Sequence, residues 1–159
     1  MTNFAPIEAE TATGRAAELL TQVKASLGLV PNMTKVMANS PTLLTAYLAL
    51  SGAVGGGVLP AGTRERLAIS TAQLNGCEYC LSAHTYIGAN IAKGDAGELE
   101  VDRTGDSHDL HTAALLRLSN EIAENNGDVS QDGLQAARDY GVTDEEIGEV
   151  VANLALNAP

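Results

Sequence analysis

Apolar positions along this chain recur at helical spacing and nowhere alternate over the length of a strand. Segments at 13–27, 32–39, 41–54, 61–75, 78–92, 107–125, 130–139 and 143–156 are rich in Ala, Leu and Glu, the composition and period of amphipathic helices. Gly28 with Pro31, then Pro41, Gly55 to Gly57, Gly94, Gly127 and Gly141 punctuate them, as residues that end or cannot continue a helix do. Ser130 and Thr143 stand where N-caps belong, and Glu146, three residues after Thr143, completes a capping-box pattern. Residues 94–106 are polar and read as a connector. The pattern predicts an all-α fold in a single domain over 1–159, without repeats or low-complexity tracts.

The uncharged stretch from Val36 to Thr63 raises the question of a membrane span. Asn39, Ser40, Pro41, Gly55 to Gly57 and Pro60 interrupt it, and its apolar part is too short to cross a bilayer. A buried helix is the expectation. The start, MTNFAPIEAE, has neither a basic region nor an apolar run, so it does not read as a secretion signal, and a cytoplasmic location is expected.

Composition adjusts this picture in two ways. At 159 residues and 16.4 kDa the chain is one domain's worth of protein, and with one Phe, no Trp and four Tyr its core must be aliphatic. The net charge of −11 argues against nucleic acid and anionic membranes as partners. Charge is uneven: residues 1–93 sum to +1, 94–128 to −7 and 129–159 to −5. The acidic half reads as a solvated outer surface, and the candidate chemistry lies in the near-neutral half.

That chemistry is in NGCEYCLSAH, Asn75 to His84, which holds both cysteines of the chain and one of its three histidines. If a helix begins near Cys77, then Cys77, Cys80 and His84 share one stripe. Ile87 and Ile91 continue the stripe, so it is expected to face the interior. Cys77 would lie at the helix N-terminus, where the dipole favours a thiolate. Cys80 would have His84 one turn away, within reach of a proton. On the preceding helix, Glu65 shares a face with Ala68, Ile69 and Ala72, whereas Arg64 and Arg66 point elsewhere. A carboxylate on an apolar face needs a partner, and the turn at Gly76 can bring it to His84.

Glu65, Cys77, Cys80 and His84 at this spacing resemble the signature of the alkyl hydroperoxidase D (AhpD)-like, carboxymuconolactone decarboxylase superfamily. Upstream, LGLVPNMTKVMANSPTLLTAYLAL is similar to the lead-in of its peroxidase-related branch. Downstream, YGVTDEEIGEVVANLALN is similar to its closing helices. The resemblance covers roughly Gly14 to Asn157. It implies an AhpD-like helical bundle, assembly into trimers or hexamers, and thiol-dependent reduction of a hydroperoxide substrate, with an external thiol or disulfide reductant as partner and no cofactor. Matched position by position, Cys80 attacks the peroxide, Cys77 resolves, and Glu65 and His84 relay protons. Two departures stand out. Tyr79 occupies the place of a histidine in AhpD, and a phenol of pKa about 10 is a poor base at neutral pH. Related chains also continue past Ala155-Leu156-Asn157 into further helix, so either this chain is shortened or an assembly surface is missing.

Other readings compete. Two core cysteines beside an incidental histidine are one. A zinc site of Cys77, Cys80, His84 and Glu65 in a helical module that binds zinc or a partner is another, although such sites usually draw on two separated knuckles. A decarboxylase of the muconolactone type is a third, for which the cysteine pair would be superfluous. His108 and His111 read as a solvated helix entrance beside Asp106 and Asp109. Gly55 to Gly57 lack the pattern of a phosphate loop and read as a connection between helices. Tyr47 and Tyr86 read as core residues with satisfied hydroxyls.

Overall fold

The computed structural model describes residues 4–158, and every regular element among them is a helix. In chain order these are α1 (Gly14–Leu27), α2 (Asn32–Met37), α3 (Pro41–Gly55), α4 (Ala61–Leu74), α5 (Glu78–Asn90), α6 (Ala96–Asp102), α7 (Leu110–Glu124), α8 (Gln131–Asp139) and α9 (Asp144–Asn157). The all-α expectation holds. By compactness the chain divides after Gly52 into two units, and α3 runs through the division.

In the first unit, α1 buries Ala16, Leu19, Leu20 and Val23, the i, i+3, i+4, i+7 stripe of an amphipathic helix. Ala16, Leu19 and Leu20 form a small core with Ala38 and Leu44, and Ile7, Val30, Met37, Tyr47 and Leu48 pack around it. Gly28 ends α1 at φ 76°, a conformation that costs glycine nothing. The segment before α1 is tied down by backbone: Ile7 N–H donates to the Lys35 carbonyl at 3.0 Å, and Asn39 donates to the Ala5 carbonyl at 2.8 Å. The expectation of a buried α3 needs correction. Leu44 and Val54 are buried, but Leu43 is half exposed and Ala46 and Ala49 face solvent. An apolar composition specifies that a helix prefers cover; it does not supply the cover.

The second unit is built around α4, which packs against α5, α6, α7 and α9. Leu67, Ala68, Ile69, Ser70, Thr71 and Ala72 are buried in succession. Small residues among them and at Ala113 and Ala114 of α7 let the helices approach closely. Leu59, Leu67, Leu115, Leu116, Leu118, Ile122, Val142 and Val150 form the core. Ser70 Oγ donates to Asn120 Oδ1 at 2.9 Å inside it. Glu149 of α9 accepts the N–H groups of Val58 and Leu59 at 2.6 and 2.9 Å, pinning the lead-in to α4. Its carboxylate occupies the space a Cβ at position 57 would need. Ser130 and Thr143 cap α8 and α9 as expected, the latter with the full capping box.

Residues 94–106 are not a plain connector. They contain α6, capped by Asp95, whose carboxylate accepts the N–H groups of Gly97 and Glu98 at 2.9 and 3.2 Å. The acidic half is not wholly solvated either: Glu98 and Asp102 of α6 are buried. Glu98 accepts from Arg66 Nη1 at 2.7 Å and from the His108 N–H at 3.0 Å, and its carboxylate also bonds Ser107 Oγ and His108 Nδ1. The Ser107 hydroxyl and the other donors hold Glu98 down at about 2, against the cost of burial. Asp102 lies 3.7 Å from Arg66 Nη1 and neither of its oxygens is hydrogen-bonded. Burial pushes it up to about 6, with Glu98 adding to the rise and Arg66 opposing it. His111 is also more than a solvated entrance. Its Nδ1 bonds the Tyr140 carbonyl at 3.0 Å and its Nε2 bonds Glu146 at 2.9 Å, and the carbonyl, then Glu146, raise its pKa.

The two α6 acids act on stability in opposite directions. Glu98, depressed in the fold, contributes stability that is present above pH 4.5 and lost as pH falls toward about 2. Asp102, elevated, favours the fold when protonated and withdraws that contribution as pH rises from 3.8 through about 6. Asp102→Asn should therefore stabilise the protein above pH 6 by roughly 1–3 kcal/mol and flatten the decline across that window. Denaturant unfolding at a series of pH values checks this; equal pH profiles for the two proteins would exclude Asp102 as the titrating group.

Candidate active site

The site is a helical hairpin, α4 and α5, joined by Asn75, Gly76 and Cys77. Gly76 adopts φ 63°. The Cys77 N–H donates to the Ala72 carbonyl at 2.9 Å and the Gly76 N–H to the Gln73 carbonyl at 3.1 Å, the paired bonds of a Schellman turn. This ending of α4 delivers Cys77 as the N-cap of α5, where its Sγ accepts the Cys80 N–H at 3.3 Å. The sulfurs of Cys77 and Cys80 are joined in a disulfide whose Cα atoms are 5.3 Å apart.

One turn further on, His84 Nδ1 is 2.8 Å from Glu65 Oε2. Both side chains are mostly covered, at 25% and 21% exposure. Glu65 lies on the α4 face that also buries Ala68, Ile69 and Ala72, as its spacing requires. Arg64 and Arg66 turn away, Arg64 to the Leu59 carbonyl at 2.5 Å and Arg66 to Glu98. The four candidate residues thus meet at one hairpin, with Glu65 supplied by α4 and the other three by the start of α5. Since Glu65 holds Nδ1, Nε2 is the ring nitrogen left for proton exchange.

The stripe carrying these residues is not the interior face expected of it. Cys77, Cys80, His84 and Ile87 are half-buried, Ile91 is 69% exposed, and the buried residue of α5 is Gly88. The helix leans on α6 through Gly88, where a Cβ would come to 3.2 Å from Leu99 Cδ2, and the stripe lies to one side of that contact. Tyr86, expected in the core, is 65% exposed, and Tyr79 is 62% exposed. In the zinc alternative the two cysteines would be separate ligands; here they are bonded to each other. Among the described residues no group of three or more His, Cys, Asp and Glu is arranged to hold a metal ion. No helix among them is long and apolar enough to cross a membrane.

The buried cluster of Arg66, Glu98, Asp102 and Ser107 is the functional-looking group that the sequence reading missed. Its signal was present: Asp95-Ala-Gly-Glu98 has the acid-at-N3 spacing of a capped helix start, and Glu98 and Asp102 are four residues apart on one face.

Residues 41–99 match the carboxymuconolactone decarboxylase family, a segment that contains the whole hairpin. The fold resembles that of a peroxidase-related protein with an AhpD core from Ralstonia eutropha JMP134, at 24% identity and a TM-score of 0.82 over 97% of this chain and 83% of that one. The family match covers the segment that holds the hairpin, and over the rest of the chain the likeness is one of fold. A peroxidase-related protein from Silicibacter sp. TM1040 is similar at 21% identity, a TM-score of 0.77, and coverage of 96% and 80%. So is the debrominase Bmp8, in a variant complexed with 2,3,4-tribromopyrrole, at 17% identity, a TM-score of 0.80, and coverage of 99% and 84%. No curated protein matches the chain.

The hairpin carries a direct check on its geometry. Iodoacetamide applied to the protein without reductant should leave both Cys77 and Cys80 unlabelled. After dithiothreitol, intact mass should show both thiols alkylated. Labelling before reduction would mean that the pair is open in solution.

Proposed function

We propose that this AhpD-like chain is a thiol-dependent hydroperoxide reductase. The observation that carries the reading is the pairing of a Cys77–Cys80 disulfide with a Glu65–His84 hydrogen bond on one hairpin. A dithiol that closes to a disulfide supplies two electrons, and a positioned imidazole supplies a place for the proton.

In the reduced enzyme, His84 Nε2 takes the proton of Cys80 while Glu65 fixes the ring and its tautomer. The Cys80 thiolate attacks one peroxide oxygen: an S–O bond forms, the O–O bond breaks, and the departing alkoxide takes the proton from His84 as an alcohol. Cys80 is now a sulfenic acid. The Cys77 thiolate then attacks the Cys80 sulfur, forming the S–S bond and expelling hydroxide, which leaves as water. The peroxide is reduced and the dithiol oxidised, and an external dithiol reductant returns the pair to its starting state. No resident cofactor enters the cycle. The apolar side chains left open on α3 and α5, Leu43, Tyr79, Tyr86 and Ile91, support association of several copies, as the family resemblance implies.

A second reading draws on the debrominase neighbour: the same dithiol could spend its two electrons on a halogenated ring. The two are separated by offering the reduced protein cumene hydroperoxide and, in parallel, a bromopyrrole. Loss of one equivalent of hydroperoxide with closure of Cys77 to Cys80 supports the peroxidase; release of bromide with the peroxide untouched replaces it.

The roles can be taken apart by substitution. Cys77→Ser should consume roughly one equivalent of hydroperoxide and accumulate sulfenic acid, whereas Cys80→Ser should consume none. Glu65→Gln keeps the shape and removes the charge, so peroxide consumption should slow at least about tenfold, the low end for loss of a positioned acid–base partner. Circular dichroism should be unchanged. An unaltered rate would remove Glu65 from the relay and leave His84 to act alone.

A further inference from the structure

We propose that His111 is a proton-dependent clasp: its doubly protonated ring ties α7 to the end of α8 and the start of α9, and frees them as pH rises. None of Glu65, Cys77, Cys80 and His84 takes part, so the clasp and the redox reading stand or fall separately.

Both partners of the ring can only accept. Nδ1 lies 3.0 Å from the Tyr140 carbonyl and Nε2 lies 2.9 Å from Glu146 Oε1. A carbonyl oxygen has no proton to give. Glu146 has none either. Its Oε2 takes the Thr143 N–H and hydroxyl at 2.8 and 2.9 Å. Although burial works to raise it, the Thr143 N–H and the His111 ring keep this carboxyl below its usual range. A neutral imidazole has one N–H and one bare lone pair, so it would satisfy one of the two oxygens and turn a lone pair on the other. Only the imidazolium meets both. Among the described residues His84 and His108 hydrogen-bond through Nδ1 alone, to Glu65 and Glu98, and either ring can be neutral without losing a partner.

The fold holds the ring where two sides favour positive charge. α8 ends in a Schellman turn at Gly141, φ 83°. The Gly141 N–H donates to the Arg138 carbonyl at 2.9 Å and the Val142 N–H to the Ala137 carbonyl at 3.2 Å. Tyr140 is the C-cap of α8, so its carbonyl lies at the negative end of the helix dipole, where a cation is stabilised. Glu146 closes the capping box of α9. Gly141, Val142 and Thr143 alone separate these two ends, and Val142 is buried in the core of the second unit. The ionised groups acting on the ring are Glu146 from α9 and Asp109, the N-cap of its own helix. On α8, Arg138 is paired with Asp144 at 2.9 Å. The Tyr140 carbonyl, against the cost of burial, and then Glu146 and Asp109 raise the ring above its ordinary 6.5. Its side chain is 37% exposed, so the proton exchanges with solvent. Because the pKa is raised in the fold, the clasp contributes fully below pH 6.5 and is withdrawn as pH climbs through the raised value.

The experiment is a pH titration of the histidine rings by two-dimensional NMR of the isotope-labelled protein, with His111→Gln to assign the signal. His111 should keep both ring protons past pH 6.5 and titrate with a midpoint above it. Over the same interval, protection of the Thr143 amide from hydrogen exchange, corrected for the intrinsic effect of pH, should drop at least about tenfold, the worth of one charge-assisted hydrogen bond. Glu146→Gln separates a proton switch from mere packing. Glutamine preserves the capping box, and its amide can donate to Nε2 of a neutral ring. In that variant the midpoint should move down toward 6.5 and the protection of Thr143 should lose its pH dependence. A wild-type midpoint at or below 6.5 would overturn the clasp. So would a midpoint that Glu146→Gln leaves in place, or Thr143 protection that is flat across the wild-type titration. These readings use the wild type and Glu146→Gln, so they hold even if His111→Gln fails to fold.

Discussion

Six consecutive residues of α4, Leu67 to Ala72, are buried, and a helix can bury so long a run only when neighbours pack around most of its circumference. In the second unit α5, α6, α7 and α9 do so. The requirement reaches outward from there. Side chains must be small where helices press closest, polar groups in the run must find each other, as Ser70 finds Asn120, and charged residues must leave at the end of the helix. They leave in three directions: Arg64 to the Leu59 carbonyl, Glu65 to His84 and Arg66 to Glu98. Three successive residues thereby join α4 to its own lead-in, to α5 and to α6.

The hairpin was legible in the sequence because its determinants are local. A glycine after α4, a cysteine at the next position, and a fixed count of residues to Cys80 and His84 specify a turn and a helix start with little help from elsewhere. Glu65 was legible through a longer argument, that a carboxylate among Ala68, Ile69 and Ala72 must have a partner, and the fold supplies one. What escaped was set by tertiary packing. The polar run 94–106 hides a helix because its inward acid Glu98 is matched by Arg66, some thirty residues earlier, and by Ser107 and His108 after it. The α3 and α5 faces escaped for a related reason: periodicity reports which residues share a side, not whether that side is covered.

Placing a charge cluster beside the cysteine hairpin has a mechanical meaning. Arg66 is the neighbour of Glu65 on α4, and Leu99 of α6 presses on Gly88 of α5. The α6 acids therefore brace, from behind, the two helices whose spacing sets the Glu65–His84 bond. Asp102, buried without a hydrogen bond, makes that brace weaker than it could be. A fully satisfied network at the same place would hold the hairpin more rigidly.

Glu149 gives the second unit a particular order of assembly. Its carboxylate grips the N–H groups of Val58 and Leu59, a contact spanning 91 and 90 positions of sequence. Such a contact closes a long loop and forms late relative to local turns. During synthesis, α4 and α5 can emerge and turn back on each other while α9 is still unmade, since domains fold as the chain appears from the N-terminal side. The cysteines would then pass through an interval in which their hairpin exists but the entrance to α4 is unlatched.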